Sequence, residues 1–592
     1  MGGIYDHKGR YLDSSRHLRR RKDFTRANPV RMKAAKGTPV LSGSYLYLGW
    51  FFNHYGHFML ESLSRCWPLM EKSRFDGYLY HFHARNPQPS ARLFEFLELL
   101  DIPREKLHFI TRDVRVEELH IPTQQAVLSR AISPRMLHLY QLLGKRAWER
   151  EKRPVTNPKI YISRRLLPHD MRHACNEYLL ERRFRDRGYQ VFHPQLHGPR
   201  EQLARFYSST HLAGLEGSGL HHVLFAKAPE ETFLLATPQR KADAITQAQL
   251  DAYRDCHTHI LFQKGSPSPI LQPERTSTLL TAASFKRLGI PAETPDPWSH
   301  VIWLQGLATQ LKPQAEELAR FAQQTGLSAH EHRLLSCLLH PSLPMDDDLL
   351  EQPSGKLAAA LHHRARGELA AASRLMAGCR EHCRDNPDFL ASHARLLRQL
   401  KQHDKAGILL DQALAIDEEN PELLHLQAEL LLDTGQTEKA RNRFQDILSD
   451  TPLYRPSLIS LATLLAAESD FTAASACLAR AIEIFPGDGR LYTRLTWYLM
   501  QIGDWKNARE TAQTALLMQP QNPHSHTHMA RIGLELGDFE SALQHISEAI
   551  DRQPDNEAHY RLRARLHREL GNLQAALADE QQAKQSRNLP SG

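Results

Sequence analysis

The chain has 592 residues, 41% of them apolar and 24% charged, which indicates several soluble globular domains and excludes a disordered or fibrous protein. Its formal net charge of +8, from 75 basic and 67 acidic residues, excludes a uniformly basic chain that binds polyanions along its whole length. We find no signal peptide and no apolar run long enough to span a bilayer, and the seven cysteines are widely spaced. We therefore expect a cytoplasmic protein without a disulfide framework, and peripheral contact with a membrane stays open.

Basic residues are concentrated in the first 40 positions, which we interpret as an N-terminal arm. They are Arg16, Arg19, Arg20, Arg21, Lys22, Arg26, Arg31, Lys33 and Lys36. A solvated arm is the simplest explanation, and a phosphate-rich partner or an anionic membrane surface are the alternatives. No aromatic residue interrupts the densest part, at positions 17–22, so the sequence does not predict a nucleic-acid partner.

The stretch at residues 45–69 contains a predicted helix that carries a pair of titratable side chains. Asn53 is expected to cap this helix, which runs to about Met70. His57 and Glu61 are four residues apart, so they share one face of the helix beside an apolar stripe. Such a pair suits a general base and its orienting partner. An ordinary contact between side chains one helical turn apart is the alternative.

Residues 157–236 alternate strand and helix patterns. Strands are predicted at 159–163, 189–193, 211–215 and 231–236, with helices at 176–187 and 201–208 and a glycine-rich turn after the third strand. Alternation at this spacing implies parallel strands joined by right-handed crossovers, and therefore a doubly wound α/β fold.

Two groups of residues follow strands of this predicted sheet, where α/β proteins bind their ligands. Arg164 and Arg165 come directly after one strand, and the turn Gly217–Ser218–Gly219 comes directly after another. Arginine guanidinium groups and the N–H groups of a glycine turn both suit a bound diphosphate. Tight packing of strand on helix is the alternative reason for the glycines.

Three stretches, in this order, resemble glycosyltransferase family 61. They are NHYGHFMLESLSR at 53–65, KIYISRR at 159–165 followed by Arg172, Asn176 and Glu177, and REQLARFYSSTHLAGLEGSGLHHVLF at 200–225. The family includes bacterial capsular polysaccharide biosynthesis proteins and eukaryotic xylosyl- and N-acetylglucosaminyltransferases. The resemblance implies an inverting transferase of two Rossmann-like lobes (GT-B type) that uses a nucleotide-activated sugar, without an obligatory metal or other cofactor.

The resemblance also assigns roles to single residues. Residues expected to bind or support the donor are Arg164, Arg165, Arg172, Asn176, Glu177, Glu216, Gly217, Ser218, Gly219 and His221. His57 and Glu61 are the candidates for the base, unranked. Glu216 and the His221–His222 pair stand where relatives often carry other residues, which leaves open which base or sugar of the donor is bound there.

The remaining chain divides into a linker and a repeat array. Residues 41–245 are assigned to the transferase and 246–352 to a linker with helices predicted at 301–321 and 331–339. Cys379 and Cys383 lie one helical turn apart, but no second pair of ligands follows, so no metal site is predicted.

Small residues recur every 34 positions through residues 353–586, as expected for an α-solenoid. The alanine column is Ala372, Ala406, Ala440, Ala474, Ala508, Ala542 and Ala576; the glycine column is Gly367, Gly435, Gly503, Gly537 and Gly571, with Lys401 and Ser469 in its gaps. Glycine ends the first helix of each pair, and alanine lets the second helix approach closely. This pattern is similar to that of tetratricopeptide (TPR) repeats, with six clear repeats from residue 387 and one degenerate repeat before them.

Together these features predict an α/β transferase domain followed by an all-α array. Its partners would be a nucleotide-sugar donor, a glycan or protein hydroxyl acceptor, and a protein bound in the groove of the array. The alternative is a non-catalytic scaffold in which a degenerate transferase domain accompanies the repeats.

Overall fold

The computed structural model describes residues 3–19, 22–23, 35–71, 75–82, 89–127, 131–151, 157–167, 175–236, 241–262, 296–311, 327–340, 345–484 and 487–587. The chain forms two compact units, Met1–Glu418 and Glu419–Gly592. The first unit contains both parallel sheets described below, and the second contains helical repeats only.

The first parallel sheet lies near the N-terminus, after a short antiparallel pair, β1 (Leu18–Arg19) and β2 (Lys22–Asp23). Its strands, in the order β5-β4-β3-β6, are β3 (Val40–Trp50), β4 (Gly77–His81), β5 (Leu107–Ile110) and β6 (Arg115–His120). Alternate side chains of β3 enter different apolar clusters, because successive residues of a strand point to opposite faces. Leu46 and Leu48 join the main core, whereas Tyr45 and Tyr47 pack on the other face.

Short helices and a small hairpin complete this part of the unit. They are α1 (Tyr55–Leu60), 3-10 turns at Ser62–Arg65 and Trp67–Glu71, α2 (Phe94–Glu98), the strands β7 (Ala126–Val127) and β8 (Ala131–Ile132), and α3 (Pro134–Arg150). The single helix predicted from Asn53 to Met70 is therefore three short pieces. Asn53 does not cap it: His54 is the N-cap residue, and the Asn53 side chain accepts a bond from the Ser90 N–H at 2.9 Å.

The second parallel sheet confirms the predicted α/β region. Its order is β10-β9-β11-β12-β13, with β9 (Lys159–Ile162), β10 (Gln190–Phe192), β11 (His211–Leu215), β12 (Glu231–Ala236) and β13 (His257–Phe262). The helices between the strands are α4 (Glu177–Arg185), α5 (Pro199–Tyr207) and α6 (Lys241–Tyr253), and a 3-10 helix, Leu220–Phe225, follows β11. The sheet continues beyond residue 245, the end expected from the sequence, because β13 pairs with β12.

The segment 3–19 packs on this fold, which differs from the solvated arm expected for the first 40 residues. The buried Arg65 guanidinium donates to the backbone carbonyls of Ser14 at 3.0 Å and Arg16 at 2.6 Å, and also to that of Pro122. A buried guanidinium needs such acceptors, and three carbonyls supply them here. Arg20, Arg21, Arg26, Arg31 and Lys33 lie outside the described residues.

Helices form the rest of the first unit. They are α7 (Pro297–Leu311), α8 (Ala329–Leu339), α9 (Asp347–Glu351), and the pairs α10 (Pro353–Ala365) with α11 (Leu369–Gly378) and α12 (Pro387–Gln399) with α13 (His403–Ile416). The helix predicted at 331–339 is present. Of the helix predicted at 301–321, residues 312–321 lie outside the described part of the chain.

Five further helix pairs form the second unit. They are α14 (Pro421–Asp433) with α15 (Thr437–Asp450), α16 (Arg455–Ala467) with α17 (Phe471–Ile484), α18 (Gly489–Gln501) with α19 (Trp505–Met518), α20 (Pro523–Leu536) with α21 (Phe539–Arg552), and α22 (Glu557–Glu569) with α23 (Leu573–Arg587). Within the described parts of the chain, no helix combines the length and the apolar character needed to cross a bilayer.

The turn inside each pair is left-handed even where glycine is missing. Lys401 has φ +60° and Ser469 φ +67°, close to the +76° to +79° of the glycines in the same column. This conformation costs a residue with a Cβ about 1–2 kcal/mol. The repeat geometry therefore imposes the turn regardless of the local residue.

Candidate active site

The strand order of the second sheet marks one place for a ligand. Strands β9 and β11 are neighbours, and the chain leaves β9 towards β10 on one side and β11 towards β12 on the other. At such a switch point, the connections after the two strands diverge and leave a crevice at their carboxyl ends. Arg164 follows β9 and the glycine turn follows β11, so both predicted groups lie at this crevice.

Arg164 and the glycine turn are in direct contact. The Arg164 Nη1 donates to the Glu216 carbonyl at 2.6 Å. Gly217 has φ +151°, and a Cβ there would lie 2.7 Å from the same Nη1. A Cβ at Gly219 would lie 2.9 Å from Cγ2 of Ile162, at the end of β9. Glycine is therefore required at 217 and 219 to seat the guanidinium and pack the turn on the neighbouring strand.

Helix α1, which follows strand β3 of the first sheet, lies against the glycine turn. A Cβ at Gly56 would be 2.7 Å from the Ser218 Cβ, and the Tyr55 hydroxyl is 2.9 Å from His222 Nε2. His222 is buried, which lowers its pKa to about 3, so its ring is neutral at physiological pH. Its Nδ1–H donates to the Gly219 carbonyl at 2.7 Å, and its Nε2 faces the Tyr55 hydroxyl, which donates to Gln202 Oε1 at 3.0 Å. The contact between Tyr55 and His222 could not be predicted from the sequence, because 167 residues separate them.

His57 and Glu61 meet as the helical spacing predicted. Their Nδ1 and Oε2 atoms are 2.6 Å apart, and the Glu61 side chain is fully buried whereas that of His57 is 37% exposed. The other Glu61 oxygen is 3.3 Å from Nε2 of the buried His17. The carboxylate therefore lies between two imidazoles, and His17 joins the pair from a segment 44 residues away. Only the basic character of that segment was visible in the sequence.

Glu177 and Asn176 lie beneath Arg164. Glu177 Oε1 accepts from the Arg164 N–H at 3.1 Å and from the Tyr161 hydroxyl at 3.0 Å. Burial, together with nearby Glu181, raises the pKa of Glu177 to about 8. Asn176 is buried at the position that precedes α4. Arg172 lies outside the described residues.

His221 is held from behind by helix α6. Its Nδ1 is 2.9 Å from Gln247 Oε1, and the Gln247 amide donates to the Leu220 carbonyl and to Asp251 at 2.8 Å. Because the amide nitrogen already has these acceptors, its oxygen accepts and His221 Nδ1 carries a proton. Burial raises the pKa of Asp251 to about 6. No local pattern in the sequence marks Gln247 or Asp251 as part of this site.

The structure differs from the prediction at Arg165. Its side chain does not share the Arg164 contacts but binds Glu181, Asp388 and Asp417, with the shortest N–O distances between 2.6 and 2.9 Å. Four of its five N–H groups are used in these bonds. The two adjacent arginines therefore lie in different environments.

Two known protein families match parts of the chain. Residues 55–234 match the family Glycosyltransferase 61, and residues 397–463, 465–532 and 527–591 match models of the tetratricopeptide repeat. The chain joins a glycosyltransferase 61 domain to TPR repeats. No curated protein matches the chain.

Solved structures resemble the repeats only weakly. PilF from Pseudomonas aeruginosa is 18% identical, with 35% of this chain and 95% of that chain covered and a TM-score of 0.31. A tetratricopeptide repeat protein from Parabacteroides merdae is 16% identical, with coverages of 41% and 95% and a TM-score of 0.30. MamA from Desulfovibrio magneticus is 13% identical, with coverages of 29% and 97% and a TM-score of 0.28. Scores this low support no conclusion about function.

Over the residues that the structure describes, no group of three or more His, Cys, Asp or Glu side chains is arranged to hold a metal ion. All seven cysteines are free thiols.

We predict that Glu177 makes the stability of the glycosyltransferase domain depend on pH. The folded state keeps the Glu177 proton up to about pH 8, whereas the usual pKa is 4.5. Between these values the unfolded chain binds fewer protons, so the free energy of unfolding falls as pH rises. Glu177→Gln keeps an oxygen for Arg164 and Tyr161 without an ionisable group. We expect the free energy of unfolding of this variant to fall less steeply with pH. Between pH 5 and pH 8, its stability relative to the wild type should therefore rise by a few kcal/mol, in order of magnitude. Denaturant unfolding at both pH values measures the gain, and parallel profiles would contradict the assignment.

Proposed function

We propose that the N-terminal unit transfers a sugar from a nucleotide-activated donor to a hydroxyl group of a glycan or protein. The observation that carries the proposal is the contact of Arg164 with the glycine turn at the switch point, opposite a helix that bears a His–Glu pair. The two parallel sheets would be the two lobes of a GT-B fold, and the reaction would invert the anomeric carbon. The family match supports the reaction class.

The donor diphosphate would lie on Arg164 and the backbone of residues 217–219. Arg164 supplies a fixed positive charge whose position is set by the Glu216 carbonyl. The glycines allow a phosphate to approach the backbone closely. Positive charge at this place would stabilise the leaving nucleoside diphosphate as the glycosidic bond breaks. Asn176, Glu177 and His221 would support this site from below and behind, with Arg172 on the adjoining loop.

His57 is the better candidate for the base, with Glu61 as its orienting partner. Glu61 is fully buried and both its oxygens face imidazoles, so it cannot reach an acceptor hydroxyl directly. His57 is partly exposed, and its Nδ1–H is held by the carboxylate. A neutral imidazole held in this way presents Nε2 as the proton acceptor, and the buried carboxylate stabilises the imidazolium that forms.

Donor binding tests the proposal. The full-length protein is screened by thermal shift and calorimetry against UDP, GDP, dTDP, CDP and CMP, and the nucleotide that binds is then offered as its sugar conjugates with mass-spectrometric detection of transfer. We expect one nucleotide to raise the unfolding temperature and to bind at micromolar to millimolar concentrations. If no nucleotide binds, the domain is degenerate and the protein is a TPR scaffold.

The repeats would bind a protein partner, either the acceptor or a member of an assembly complex. Stacked helix pairs form extended surfaces of this kind. The seven free thiols support a reducing compartment, and we propose that the protein is cytoplasmic. Peripheral contact with the membrane is the alternative location, which cell fractionation tests.

A further inference from the structure

Arg165 joins the sugar-transfer site to the first clear repeat of the array. Its Nε and Nη2 atoms donate to both oxygens of Asp388, in the first turn of α12, at 2.6 to 3.3 Å. Its Nη1 donates to Asp417, which ends α13, at 2.6 Å and to Glu181 of α4 at 2.9 Å. All these residues belong to the first compact unit, Met1–Glu418.

This ion cluster is buried. The side chain of Arg165 is 6% exposed, those of Glu181 and Asp417 are 1% and 4% exposed, and that of Asp388 is 34% exposed. Arg185 adds a second cation to Asp417 at 2.9 Å. Charges withdrawn from water need well-placed partners of opposite sign, and three carboxylates around two guanidinium groups supply them. A diphosphate would meet a guanidinium already surrounded by negative charge.

The same cluster fixes the backbone that carries Arg164. The Arg165 N–H donates to Ser163 Oγ at 3.1 Å, and that hydroxyl donates to Glu181 at 2.6 Å. On the other side, the Arg164 N–H donates to Glu177. Each of the residues 163–165 is therefore fixed by a hydrogen bond of its backbone N–H or its side chain. The Arg164 guanidinium reaches the glycine turn from this fixed segment.

We propose that Arg165 is a positioning residue for the donor site, and that the repeat 387–417 is part of the transferase because its Asp388 and Asp417 hold Arg165 in place. This inference rests on the proposed function. The repeat would then act on donor affinity through Arg165 and Arg164. A misplacement of about 1 Å in a site can cost roughly a hundredfold in rate. Because Arg164 would contact the donor itself, we expect the loss here to appear in donor binding.

Point variants of the full-length protein test this role. Asp388→Asn keeps the shape of the side chain and one acceptor oxygen but removes the charge of the partly exposed carboxylate of the cluster. Asp417→Asn makes the same change at a buried carboxylate. Arg165→Lys keeps the charge but cannot make the forked bonds. We expect each to raise the Kd of the nucleoside diphosphate and the donor KM by about 10- to 100-fold, with kcat and acceptor KM changed less than about threefold.

Arg185→Gln is the matched control, because it removes an ion pair with Oδ1 of the same Asp417 and leaves the Arg165 bond to Oδ2 in place. We expect it to lower the unfolding temperature without changing donor affinity. The inference is overturned if wild-type protein binds the nucleotide and the folded Arg165 and Asp388 variants bind it equally well, or if Arg185→Gln weakens binding as much as they do. Absence of nucleotide binding by the wild type would instead contradict the proposed function itself.

Discussion

Replacing His57 by alanine is expected to lower kcat by about 10²- to 10⁴-fold, the range of a general base. The Nδ1–H of His57 is held by Glu61 at 2.6 Å, so the imidazole is oriented before the acceptor arrives. In the proposed mechanism, its removal would leave the attacking hydroxyl without a proton acceptor. The donor site is untouched, so the Kd of the nucleoside diphosphate should stay within about twofold of wild type. Initial rates of sugar transfer, with calorimetry for the nucleotide, measure both quantities.

Glu61→Gln separates the two members of the pair. The glutamine oxygen can still accept from His57, but the charge that stabilises the imidazolium is lost, so we expect a loss of kcat smaller than that of His57→Ala. His138→Ala, at an exposed position on α3, is the control for an unspecific effect of losing a histidine. If Glu61→Gln removed more activity than His57→Ala, the assignment of the base would pass to Glu61. Near-normal turnover of both variants would place the base elsewhere.

Replacing Arg164 by alanine is expected to raise the Kd of the nucleoside diphosphate by about 10- to 100-fold. A hydrogen bond to a charged group contributes roughly 1.5–3 kcal/mol, and 1.4 kcal/mol corresponds to a factor of ten. The guanidinium is fixed on the Glu216 carbonyl at 2.6 Å, so little ordering is left to be done when the donor binds. Inorganic pyrophosphate, used as a competitor, should lose affinity in parallel if Arg164 contacts the diphosphate. An unchanged Kd for both probes would remove Arg164 from the donor site.

Gly217→Ala tests the same contact with the charge retained. A Cβ at this position would lie 2.7 Å from Arg164 Nη1, and the φ of +151° disfavours any side chain. The guanidinium must therefore move, and we expect donor affinity to fall while the effect on acceptor KM stays small. Gly188→Ala is the control: it also has a positive φ, of +79°, but has no atom within 4 Å of its Cβ position. It should cost about 1–2 kcal/mol of stability and no donor affinity.

Contacts between residues that are near each other in sequence could be predicted. The His57–Glu61 contact follows from helical spacing, and the glycine turn follows from the end of a predicted strand. The contacts of His17 with Glu61 and of Tyr55 with His222 could not be predicted, because 44 and 167 residues separate the two members of each pair. Arg164 and Arg165 show the same limit. The resemblance implies one role for both, but Arg165 lies in the turn that follows β9. Its side chain binds Glu181, Asp388 and Asp417, whereas that of Arg164 donates to the Glu216 carbonyl.

The sequence by itself determined the TPR array and the parallel α/β region. The structure of each repeat depends on contacts within about 34 residues. The residues that form its turn, its buried alanine and its helix starts therefore recur with that period in the sequence. Only the tertiary structure decided what surrounds the site. Packing brings Asp388 and Asp417 to Arg165 across 223 and 252 residues, and it brings His17 to Glu61. No local pattern encodes such pairs, because they depend on how whole helices and sheets bury their faces against one another.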